Sequence, residues 1–186
     1  MSVPPIHRAL LKPQSYRDMV RDFRWDIPEY FNIGEAISGF WAHYDPERPA
    51  LIDERDDGSV REWSFLALDR LANRFANALV ASGARVGDRV GIHLPQRVET
   101  IAAHLGAFKA GLITIPLFEL FGQDALAFRL RTAEARFLVT SETGAAAVAG
   151  EDLPSLTQII SVAGRSVNGD DLGGRRPALA HPDHLR

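Results

Sequence analysis

Four apolar, strand-like runs recur at nearly even intervals: "RVGIHL" from Arg89, "LITIPLF" from Leu112, "RFLVTS" from Arg136 and "TQIISV" from Thr157. The intervals are 23, 24 and 21 residues, and each gap has room for one helix. In the first gap Val98, Ile101, Leu105 and Phe108 fall on one helical face, and Gly111 is placed to close the helix. In the second, Leu126, Leu130 and Ala133 do so, with Asp124 as the expected cap. The third, "SETGAAAVAGEDL", is Ala-rich. Strands alternating with helices in this way imply βα units, parallel pairing and right-handed crossovers. Continuous apolar strands such as "LITIPLF" fit burial on both faces. The spacing therefore predicts an α/β fold with a doubly wound parallel sheet and flanking helices. No side-chain signature recurs at fixed offsets, which argues against a solenoid.

The chain ahead of Arg89 reads differently. "PALIDE" and "VREWSF" flank Asp56-Asp57-Gly58-Ser59, where Asp57-Gly58 is a strong hairpin signal. Ser64 is placed to cap a helix carrying Leu68, Leu71, Phe75 and Leu79 on one stripe, ended by Gly83 or Gly87. Asn32 is placed to cap an earlier helix with Ala36, Ile37, Phe40 and Trp41 on its apolar side. Residues 1–31 read as irregular, with Trp25, Tyr30 and Phe31 as anchors. After Ala163 the chain turns rich in Gly, Asp, Arg and Pro, so 163–186 reads as a linker and 32–162 as the α/β unit.

Composition narrows the function classes. With 46% apolar and 24% charged residues the chain has the balance of a soluble globular protein. A net charge of -3 and no basic stripe argue against nucleic acid as a partner. There is no cysteine, which excludes disulfides, thiolate metal sites and thiol nucleophiles. No apolar run reaches the length of a membrane span, and the proline-broken start lacks a signal-peptide core. A cytoplasmic location is the expectation.

Motifs for chemistry are scarce. The turn Leu94-Pro95-Gln96-Arg97, between a strand and a helix, contains no glycine, and neither GxGxxG nor GxxxxGK[ST] occurs. A phosphate on the helix amides beside Arg97 is one reading of that turn, and a tight turn set by Pro95 is the simpler one. His181 and His184 are three apart with Asp183 between them, which fits a solvated tail better than a metal site. His93 and His104 read as packed side chains. Asp53, Glu54, Asp56 and Asp57 read as a solvated hairpin turn. No Ser/His/Asp motif is visible, and the acidic pair, acceptor Asp and Lys of a response regulator do not fall in place. No catalytic and no metal-binding residue is assigned.

The segments in series resemble the N-terminal part of the adenylate-forming (AMP-binding) family, especially acyl-CoA synthetases of the acetyl- and medium-chain types. The likeness rests on "RWDIPEYFNIGEAI", "PALIDERDDGSVREWSFLALDRLANRFANALVASGARVGDRVGIHLPQ", "ETIAAHLGAFKAGLITIPLF" and "FGQDALAFRLRTAEARFLVTS", from about Arg24 to Val162. It implies an incomplete N-terminal domain of that fold. It also implies a carboxylate–CoA ligase that uses ATP, Mg²⁺ and CoA, working through an acyl-adenylate, with a place in fatty acid metabolism.

In that family a Ser/Thr/Gly-rich phosphate loop follows a linker much like "ALAHPDHLR". Neither that loop nor the later adenine, ribose and catalytic-Lys motifs lie within these 186 residues. The chain alone is therefore expected neither to adenylate a carboxylate nor to bind these cofactors tightly. Donors aimed at the phosphates, together with Mg²⁺, supply most of such catalysis. In acetyl-type members the loop after the strand matching "LITIPLF" packs on the CoA nucleotide, which implies a CoA contact at Phe118, Glu119 and Leu120. Those members carry two glycines at the positions of Glu119 and Leu120. They also tend to carry arginines after the strand matching "RFLVTS", where Ala145 to Gly150 offers none. A sheet missing its covering elements is expected to expose apolar surface and self-associate. The alternative is a stand-alone α/β module that binds without catalysis.

Overall fold

Three helices open on a serine whose hydroxyl accepts a backbone N–H of the first turn, the favoured way to satisfy an orphan helix donor. The computed structural model describes residues 15–24, 29–55 and 57–162. The chain divides into two units, Met1–Phe31 and Asn32–Arg186. In the first unit Ser15 caps a short helix, α1 (Tyr16–Asp22), by accepting from the Asp18 amide. The reading of 1–31 as wholly irregular therefore gives way to two helical turns. Tyr30 and Phe31, expected as anchors, are 86% and 49% exposed. Trp25 lies outside the described residues.

In the second unit Asn32 caps as expected, its Oδ1 accepting from Glu35 N at 3.0 Å. The turn that follows is a single π turn, Glu35–Gly39, which continues into α2 (Phe40–Tyr44). A π turn adds a residue and shifts the helical phase. The buried side thus falls on Ser38 and Gly39, and Ile37, expected inside, is 47% exposed.

The hairpin forms from β1 (Pro49–Glu54) and β2 (Val60–Ser64), antiparallel. Ser64 then caps α3 (Phe65–Ala81), whose buried stripe includes Leu68, Leu71, Phe75 and Leu79 as expected. Gly83, at φ +86°, ends it: Gly83 N bonds Val80 O and Ala84 N bonds Leu79 O, with the glycine in the left-handed region.

Four parallel strands follow: β3 (Arg89–His93), β4 (Ile113–Leu117), β5 (Phe137–Thr140) and β6 (Gln158–Ser161). Their order is β4-β3-β5-β6. Between them lie α4 (Val98–Lys109), α5 (Gln123–Thr132) and α6 (Glu142–Val148). Val90, Ile92, Phe137 and Val139 pack with α3 and α4 in one core. Leu117, Leu126, Leu130, Leu138 and Val148 form the other. The sheet is doubly wound, as the spacing predicts. Each fully buried Leu or Phe contributes roughly 1.5–3 kcal/mol.

Two details of the helices differ from the sequence reading. The buried side of α4 runs through Val98, Ala102, Leu105 and Gly106, leaving Ile101 36% exposed. Close approach to α3 causes this: a Cβ on Gly106 would lie 2.6 Å from Ala72 O. The cap of α5 is Gly122, with Asp124 inside the first turn. There its carboxylate still favours the positive end of the helix.

A buried polar cluster joins the segment Asn32–Gly39 to α3 and α4. Lys109 Nζ lies 2.7 Å from Asp69 Oδ1 and 3.1 Å from Glu35 Oε2. Ser38 Oγ and Asn73 Nδ2 donate to the two Asp69 oxygens at 2.8 and 2.9 Å. Asn32 Nδ2 donates to the Lys109 carbonyl.

Candidate functional site

β3 sits mid-sheet, with its crossover leading to β4 on one side, while β5 leads to β6 on the other. Such a reversal opens a crevice beyond the carboxyl ends of the strands, where open α/β sheets place ligands. Beside it, a cavity of about 260 Å³ lies beyond the carboxyl ends of β3 and β4. Its floor comes from Ile92 and Leu94 of β3 and the residue after it. One wall is Pro95, Gln96, Thr100 and His104, and the other is Phe118, Glu119 and Leu120. The three residues expected to face CoA are thus together on one wall of a cavity.

The local chain explains that shape. The Thr100 hydroxyl donates to the Pro95 carbonyl, and Thr100 N bonds Arg97 O at 3.1 Å. This closes the Leu94–Arg97 turn on itself. Arg97 is the N-cap residue of α4 and makes no side-chain cap bond. After β4, Phe121 N bonds Phe118 O at 3.0 Å, and the two rings meet edge to face at 5.5 Å. The turn leaves Phe118 63% and Leu120 97% exposed.

The cavity is mainly apolar with a few polar groups, the usual makeup of a small-molecule site. Its volume is below the roughly 300–1,000 Å³ of drug-sized pockets, so it takes a ring-sized portion of a ligand. His104 is held below the usual histidine pKa by burial, so its ring is neutral near pH 7. The arrangement can bind and orient, and it holds no nucleophile paired with a base.

His93, at the end of β3, is 7% exposed, with Nδ1 3.1 Å from Thr140 Oγ1. Among the described residues no group of three or more His, Asp or Glu side chains could hold a metal ion. His181, Asp183 and His184 lie outside the described residues. No described helix is long and apolar enough to cross a membrane. Gln96, Thr100 and His104 were not assigned to a site from sequence. The signal that could have found them is position, since all three follow a parallel strand at its carboxyl end.

The sequence model described as AMP-binding enzyme matches residues 40–182. The chain belongs to this family. Among AMP-binding enzymes it is similar to a mitochondrial acyl-coenzyme A synthetase of Mus musculus, with 31% identity over 163 residues. That match covers 80% of this chain and 28% of the relative. It is also 36% identical over 124 residues to an acetyl-coenzyme A synthetase of Coprinopsis cinerea, covering 66% of this chain and 19% of that one. The crystal structure of a Brucella canis acyl-CoA synthetase superposes with a TM-score of 0.72 at 25% identity. It matches 85% of this chain and 30% of its own. The chain thus spans less than a third of the length of these AMP-binding relatives, and its fold is the corresponding α/β part of theirs.

Proposed function

We propose that these residues form the front of an ATP-dependent carboxylate–CoA ligase of the acetyl- or medium-chain type. In the complete enzyme a carboxylate oxygen attacks the α-phosphorus of ATP, giving an acyl-adenylate and releasing pyrophosphate. The CoA thiol then attacks the acyl carbon, releasing AMP and a proton. The observation that carries the reading is the family match across residues 40–182.

In this account Phe118, Glu119 and Leu120 line the CoA side of the enzyme. The exposed ring of Phe118 offers a face on which a heterocycle stacks. Residues 163–186 serve as the linker toward the phosphate loop, and ATP, Mg²⁺ and the carboxylate are held by later parts of the enzyme. The proposed location is the cytoplasm and the proposed role fatty acid metabolism. The 186-residue chain alone adenylates nothing and self-associates through exposed apolar surface.

Phe118→Ala in the complete ligase tests the assignment. The expected result is a KM for CoA raised about 2- to 13-fold, the loss of one aromatic contact of about 0.5–1.5 kcal/mol. Carboxylate-dependent ATP–pyrophosphate exchange should be unchanged. An unchanged KM for CoA would remove Phe118 from the site.

A further inference from the structure

We propose that His93 is the positioning residue of the Phe118–Leu120 loop, holding it through its Nε2 edge. The inference rests on reading that loop as part of the ligand site. Register supplies the first ground. His93 pairs with Leu117 on β4 and with Thr140 on β5, so Phe118 and Glu119 are the next residues past its partner.

The ring is fixed on its other edge. Nδ1 is 3.1 Å from Thr140 Oγ1, and Gly144 of α6 closes over both. A Cβ there would strike the Thr140 hydroxyl and come 2.8 Å from Nδ1. Larger residues at position 144 are excluded, and the imidazole keeps one orientation.

Nε2 is buried and has no hydrogen-bond partner among the described residues. Leaving a buried polar atom unmet is costly, so a group that can meet it is drawn to it. Burial holds the ring below the usual histidine pKa, and two groups of the loop oppose it: the Glu119 carboxylate and the Phe118 backbone. From β5 and α6 the ring meets the uncharged Thr140 hydroxyl and the Gly144 backbone. In the neutral tautomer that carries its proton on Nε2, the Thr140 hydroxyl donates to Nδ1 and the Nε2–H is left to face the loop. In the protonated ring both edges donate, and the pull on Glu119 strengthens. The loop is therefore held more firmly in acid than at neutral pH. Beyond that, the loop is tied by the Phe121 N–Phe118 O bond and the Phe118–Phe121 ring contact, while Leu120 projects outward.

The test needs no ligand, so its failure is distinct from failure of the CoA assignment. Backbone amide shifts of Phe118, Glu119 and Leu120 are followed by NMR in the full chain across the range where histidine titrates, about pH 5–8. The expected result is that all three move with the midpoint of the His93 ring. In His93→Gln that movement is lost, and in Glu119→Gln the His93 midpoint falls. His104→Asn leaves the pattern intact. Amides that do not titrate, or that follow His104, overturn the proposal. Should His93→Gln not fold, the Glu119→Gln variant decides, and an unmoved His93 midpoint overturns it.

Discussion

Lys109 Nζ lies 2.7 Å from Asp69 Oδ1, with side chains only 4% and 12% exposed. The pair joins α4 to α3, and Ser38 extends the link to the π turn. A buried charge left without its partner costs about 3–5 kcal/mol. Lys109→Ala is expected to lose that much in urea unfolding. Glu35, 63% exposed on its side of the cluster, should matter far less, with Glu35→Ala costing under about 1 kcal/mol. Equal losses from the two variants would contradict this division.

Gly106 sets the distance between α3 and α4. A Cβ added there would lie 2.6 Å from Ala72 O and 2.7 Å from Phe75 Cβ. Alanine would gain helix propensity worth about 1 kcal/mol, yet overpacking of this kind typically costs 1–3 kcal/mol. Backbone atoms cannot move aside as a flexible side chain does, so the clash wins. Gly106→Ala is expected to lower the thermal midpoint, and a raised midpoint would show that the helices can part.

Stability should depend on pH through two histidines. Burial holds both His93 and His104 below the usual histidine pKa, with Glu119 and the Phe118 backbone partly offsetting the effect at His93. The unfolded chain then binds protons more readily than the folded one as pH drops below about 6.5. The stabilisation is present above that value and is lost as pH falls toward the folded pKa of each ring. The slope is at most about 1.4 kcal/mol per pH unit per ring. Urea unfolding at a series of pH values checks this, and His104→Asn should flatten the curve in part.

Ser64 tests a cap read directly from the sequence. Its hydroxyl accepts from Ala67 N at 3.3 Å, and α3 carries much of the larger core. Ser64→Ala is expected to cost about 0.5–2 kcal/mol in urea unfolding, with Ser64→Asp close to neutral.

The parallel strands were legible because burial on both faces leaves runs such as "LITIPLF" with no polar alternation. Ser64, Gly83 and Gly111 were legible because caps and helix ends act locally. The Lys109 cluster was not, since its members lie 31 and 74 residues apart in pairs and only the fold joins them. Ile101 misled because the α3–α4 approach favours small residues, which carry little hydrophobic signal. Ile37 misled because a π turn leaves no mark in a 3.6-residue pattern. At the site, Phe118, Glu119 and Leu120 came from the resemblance, whereas Gln96 and His104 meet them only across the turn after β3.

A carboxylate–CoA ligase built on these residues, as proposed, carries its phosphate machinery in other parts of the same enzyme. The most direct measurement isolates the native protein from its source cells with an antibody against this chain, then assays carboxylate-dependent ATP–pyrophosphate exchange. A band well above 20.5 kDa that catalyses exchange is expected, with no exchange by the pure chain. A native band at 20.5 kDa, or exchange by the 186-residue chain alone, would contradict it.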